Sequence, residues 1–164
     1  MNTFEDITKD IVSNKQFTKL KNELHHGITR YDHSYRVAKW TYKVCKFFHM
    51  DKIITTTRAA LLHDFYTNKD TEGNSSVKKL AIHPDIALKN ALKYYDLDEV
   101  GQNIIKTHMF PCNLNVPKYK ESWLVTTVDK TVATYEMLRF KLPLYLGIYA
   151  IFIYELLKVS DLSI

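Results

Sequence analysis

Glycine and proline are scarce, with four of each in 164 residues. A β-rich chain of this length needs more turns than that supply allows, so the shortage points to helices. Cysteine is scarcer still: only Cys45 and Cys112 occur, and they form no C-x-x-C pair. This excludes a disulfide scaffold and a thiolate zinc site, and makes a reducing, cytoplasmic location the expectation. No dense basic run exists. Lys and Arg outnumber Asp and Glu by 23 to 18, a net charge of +5 spread along the chain. Such a balance suits a small anionic substrate, with no nucleic-acid partner expected. The stretch from Leu142 to Tyr154 carries no charge. It is too short to span a bilayer and reads as a core or interface helix, so no membrane partner is expected. The opening M-N-T-F-E-D-I-T-K-D is acidic and polar, unlike a signal peptide. There are no internal repeats.

What is present fits an ordinary globular chain. Hydrophobic residues make up 46% and aromatics 13%, enough for one large core. The expectation is a single all-α domain over residues 1–164. Its core covers about 25–140, and an apolar helix at about 143–158 is available for a homodimer. Hydrophobic spacing predicts helices over about 3–13, 15–24, 32–48, 52–66, 84–95, 98–108, 121–140 and 143–158. Pro84 is expected to open its helix, since proline fits the first helical position. L-V-T-T-V-D-K-T-V-A-T has strand propensity, but its continuation into Y-E-M-L-R-F favours helix. The polar stretch Thr67–Ser76 reads as a flap beside a site.

Polar residues interrupt the apolar stripes. In R-A-A-L-L-H-D-F-Y, His63 shares the face of Ala59 and Ala60. The stripe Val37, Trp40, Val44, Phe47 projects back onto His33. Val100 and Ile104 lead to His108, and Asp129 lies between Val125 and Val132. His83 precedes Pro84, at the expected helix mouth. A lone buried histidine is usually bonded to a backbone carbonyl, and a lone buried aspartate is usually a cap or ion-pair partner. Lys130 and Arg139 are near enough in sequence to serve Asp129 in that way. One core has room for few such groups, however, and a divalent metal cluster satisfies several at once. Imidazole and carboxylate without thiolate suit iron, manganese, cobalt, zinc or magnesium. His25, His26 and His49 lie off the stripes and are not expected to bind metal.

The succession R-Y-D-H-S-Y-R-V, A-A-L-L-H-D and V-T-T-V-D-K resembles the HD superfamily of metal-dependent phosphohydrolases. The likeness covers residues 25–140. It implies an all-α HD-domain bundle with His33, His63, Asp64 and Asp129 as ligands. His83 and His108 fall where two-metal branches carry two more histidines. This arrangement is similar to bacterial hydrolases of diadenosine tetraphosphate and to cyclic-dinucleotide phosphodiesterases, although the Gly-Tyr-Pro element of the latter is missing. Many members continue the doublet as H-D-I-G; here it is H-D-F-Y, with Tyr66 in place of glycine.

The resemblance implies hydrolysis of phosphate ester or anhydride bonds in a nucleotide-type substrate by metal-activated hydroxide. His33, His63 and Asp129 would hold one ion, His83 and His108 a second, with Asp64 as the catalytic bridge. Arg30 and Lys130 are the expected substrate-binding cations, with Arg36 and Lys69 behind them. Competing expectations are an oxygen-activating enzyme, a silent nucleotide-binding module and a structural dimerisation domain.

Overall fold

A computed structural model of the chain describes residues 2–25 and 27–161. His26, one of the off-stripe histidines, lies outside them. The fold is all-α. Its helices are α1 (Phe4–Val12), α2 (Lys15–Thr18), α3 (Arg30–Phe47), α4 (Ile53–Leu62), α5 (Ser76–Ala91), α6 (Glu99–Thr107), α7 (Lys120–Glu136) and α8 (Leu142–Asp161). The expected helix at 15–24 is shorter: α2 passes into a 3-10 turn, Lys19–Asn22. A two-residue antiparallel pairing follows, β1 (Leu24–His25) with β2 (Ile28–Thr29). Gly27 turns it at φ 95°, a conformation that costs glycine least.

α4 is the centre. Ala59, Ala60, Leu61 and Leu62 are all fully buried. The helix packs against α1, α3, α5, α6 and α7. Small alanines let neighbouring backbones approach, and the two leucines fill the space between them. Arg58 ties α1 to this helix through a two-pronged ion pair with Asp10, both contacts 2.7 Å. That guanidinium holds the Asp10 carboxyl below its ordinary range.

Three expectations need correction. Pro84 does not open a helix. α5 begins eight residues earlier, where the Ser75 side chain accepts from the Lys78 amide, and Pro84 sits inside it. A good cap outweighed the proline, which leaves one interior carbonyl without its donor. The stripe on α3 was also misplaced. Trp40 and Phe47 are 52% and 76% exposed, whereas His33, Ser34, Val37, Ala38, Thr41 and Cys45 are buried. Small polar residues make that inner face, so large aromatics misled the pattern. Finally, the first half of the 67–76 stretch is anchored rather than free. A Thr67–Asp70 capping box forms a 3-10 turn at Asn68–Thr71, and the Asn68 amide donates to Glu23 at 2.9 Å.

The ambiguous β-branched run is helical, as α7. A π-helical segment, Met137–Lys141, joins α7 to α8. Among the described residues no helix is long and apolar enough to cross a membrane.

Candidate metal centre

Five helices bring one histidine or aspartate each, or a pair, to a single buried point. His33 comes from the first turn of α3. His63 and Asp64 follow the end of α4, His83 lies within α5, His108 ends α6, and Asp129 lies within α7. None of the six is more than 7% exposed. All six expected metal ligands therefore meet, falling into three overlapping groups whose ligand atoms lie within 4.8 Å of one another.

The Asp64 carboxylate divides the cluster. Its Oδ1 lies 3.3 Å from His83 Nε2 and 3.6 Å from His108 Nε2. Its Oδ2 lies 3.8 Å from His63 Nε2. On that second side Asp129 Oδ1 approaches His33 Nε2 at 3.0 Å and His63 Nε2 at 3.5 Å.

The rings are aimed by their other nitrogens. His63 Nδ1 donates to the Ala60 carbonyl and His108 Nδ1 to the Ile105 carbonyl, both at 2.8 Å. Each is a C-cap histidine satisfying a carbonyl of its own last turn, a need that every helix end creates. His83 Nδ1 donates to the Lys79 carbonyl at 2.9 Å, in the turn that Pro84 interrupts. His33 Nδ1 donates to Glu136 Oε2 at 2.8 Å. A carbonyl oxygen can only accept, so at three rings the Nδ1 carries a proton, and such a ring in its neutral form presents a bare Nε2.

That assignment tests the fit of a cation. His83 Nε2 and His108 Nε2 face each other at 3.0 Å, and in neutral rings both are acceptors. His63 Nε2 and Asp64 Oδ1 are buried with no hydrogen-bond partner. Such atoms cost roughly 1–3 kcal/mol each when left unsatisfied. A divalent cation would satisfy several of these atoms at once, and the nitrogen–oxygen donors suit a borderline-to-hard ion. The buried His/Asp cluster is thus fit to hold divalent metal.

The electrostatics run the same way. Burial raises the carboxyls of Asp64 and Asp129, but the surrounding imidazoles outweigh it and hold both well below the usual carboxylate range. Burial opposes charge on His33, yet its bonds to Asp129 and Glu136 lift it to about 10. Burial, with cationic His63 beside it, pushes His108 down to about 3.

These shifts predict the pH response of the metal-free protein. The His33 proton stabilises the fold fully below its unfolded value of 6.5, and this contribution is lost as pH rises through about 10. Neutral His108 contributes fully above 6.5, and that contribution is lost as pH falls towards about 3. Stability in chelator is expected to peak near the shared value of 6.5. Thermal melts from roughly pH 5 to 9 check this; a melting temperature still climbing at the alkaline end contradicts it. Metal must expel the His33 proton, so affinity is expected to rise with pH through neutrality.

The expected substrate cations are placed less simply. Arg30 is buried and committed. It donates to the Tyr66 carbonyl at 3.0 Å and to Asn68 Oδ1 at 3.4 Å, pairs with Glu23 at 3.6 Å, and stacks on the Tyr66 ring at 3.9 Å. The same ring stacks on His83, centroids 5.0 Å apart. Arg30 therefore props Tyr66 against a ligand instead of pointing a free guanidinium at the centre. Lys130 Nζ donates to the His108 carbonyl at 2.9 Å, next to two ligands, and keeps two further N–H donors. Arg36 is held by Glu136. Lys69 lines a cleft of about 290 Å³ beside Tyr66, with Lys19, Lys93, Tyr94 and Asp70 also on its walls.

Glu136 was missed. It is fully buried and bonds both His33 and Arg36. The signal was available: Glu136 follows Asp129 by two helical turns and so shares its face. An outer carboxylate that fixes a ligand's tautomer is a recurrent part of such sites.

Comparison with protein-family models, curated proteins and solved structures returned no match.

Proposed function

We propose that the chain is an HD-type, metal-dependent hydrolase of phosphate ester or anhydride bonds in a nucleotide-type substrate. The observation carrying this reading is the Asp64 carboxylate, whose Oδ2 faces His63 and whose Oδ1 faces His83 and His108. Divalent ions held by these six residues would supply positive charge to phosphoryl oxygens and acidify a water nucleophile. The protein's own work is positional. Nδ1 bonds at four histidines hold every Nε2 in place. Burial keeps bulk water from weakening the electrostatics. Lys130, tethered at one proton, is the best-placed cation for a substrate phosphate.

The cleft beside Tyr66 supports a nucleotide-type ligand. Three lysines suit a phosphate chain, and Tyr94, 48% exposed, offers aromatic surface for a base. The test is phosphate release from nucleotides and dinucleoside polyphosphates with manganese, cobalt or iron. Metal-dependent turnover is expected. Tight nucleotide binding with no turnover under any metal would instead identify a silent binding module.

A further inference from the structure

α8 is the least explained element of the fold. Its principal contacts are with the π segment from which it grows. Leu144, Leu146, Ile148 and Ile151 are 56% to 66% exposed. Leu146 and Ile151 share one face with Gly147 and Ala150, with Leu144 at its edge, while Tyr145, Ile148 and Tyr149 point away from it. Immediately before the π segment, α7 and α3 form an apolar groove of about 520 Å³. Its walls include Trp40, Val44, Val128, Val132 and Tyr135, and Arg36 lies in it.

We infer that this groove is the docking site for α8 of a second copy of the chain, in a two-fold antiparallel pairing. The groove residues of α7 (127–135) and the aliphatic face of α8 (143–151) flank position 139 at equal distances. A two-fold axis there lays each α8 along its partner's groove. It sets Ile151 against Thr127, Ala150 against Val128, Gly147 against Thr131 and Leu146 against Val132. Such a contact is self-complementary, as a closed dimer requires. Nothing lies within 4 Å of a Cβ built on Gly147, so a second backbone can approach closely there.

The area is adequate. Leu144, Leu146 and Ile151 with half-exposed Trp40 and Tyr135 offer about 100 Å² each, roughly 500 Å² per copy, and smaller groove residues add to it. A standard interface buries about 800 Å² per partner. A lipid surface fits less well: an interfacial helix needs a strongly charged face, and Leu142–Tyr154 has none.

The test uses the full chain with Cys112→Ser, because Cys112 is exposed and free while Cys45 is buried. Thr131→Cys and Gly147→Cys are combined. Within one copy these positions are about 24 Å apart along the helix, far beyond disulfide reach. Mild oxidation is expected to give a covalent dimer from the double variant and none from either single one. In sedimentation, the unmodified chain is expected at twice 19.3 kDa. Ile151→Glu, at an exposed position, is expected to weaken association at least ~100-fold with metal content unchanged. A monomeric unmodified chain, crosslinking by a single variant, or a monomer that instead pelleted with anionic vesicles would each overturn the inference.

Discussion

Asp64→Asn is expected to remove most of the bound metal and to lower phosphate release by about a thousandfold or more, equivalent to ~4 kcal/mol of barrier. The substitution is nearly isosteric, so packing is kept. What disappears is the charge shared between the two histidine groups, His63 on one side and His83 with His108 on the other. An amide offers one neutral oxygen where two anionic ones stood, and its N–H donors meet imidazole nitrogens that a cation needs. Elemental analysis and a phosphate assay on the same preparation check both halves. A variant that kept its metal but lost turnover would restrict Asp64 to chemistry, and one that kept both would remove it from the site.

Glu136→Ala is the second large effect, and it concerns stability. Glu136 is fully buried, accepts from His33 Nδ1 and pairs with Arg36. Deleting one partner of a buried ion pair leaves the other charges uncompensated, at a cost of about 3–5 kcal/mol. Arg36 is 31% exposed and recovers some hydration, so the lower end, about 3 kcal/mol, is expected. Denaturant unfolding of metal-free protein gives the number. Metal affinity should also fall, by about 10–100-fold, because the His33 ring loses the bond that orients it. A stability loss under about 1 kcal/mol would mean that His33 and Arg36 find other partners.

The candidate ligands were legible in the sequence because each violates its own surroundings. His63 beyond A-A-L-L, His108 after Val100 and Ile104, and Asp129 between Val125 and Val132 are polar groups at core positions, and all three are buried. His33 was found by a stripe that proved half wrong. Trp40 and Phe47 face outward, and Val37 alone carried the inference. His83 reaches the cluster by a route other than the expected one. It lies in the interior of α5, where a Ser75 cap beyond the periodic run had already started the helix. The partners were less readable. That Arg30 lies over Tyr66, and Tyr66 against His83, depends on residues 36 positions apart in the chain meeting in space. A cation beside a ligand motif looks like a phosphate anchor until the carbonyl it serves is seen. The groove on α3 and α7 was hidden for a related reason, because apolar side chains at helical spacing were assigned to the core.

The central claim is that six buried side chains meet in order to hold cations. The direct measurement is elemental analysis of the unmodified chain after saturation with manganese or iron and removal of free metal. About two ions per chain are predicted, falling towards one in His83→Ala and in His108→Ala and nearly to none in His63→Ala. A chain that retained no metal at neutral pH, or variants whose content matched the unmodified protein, would contradict the account.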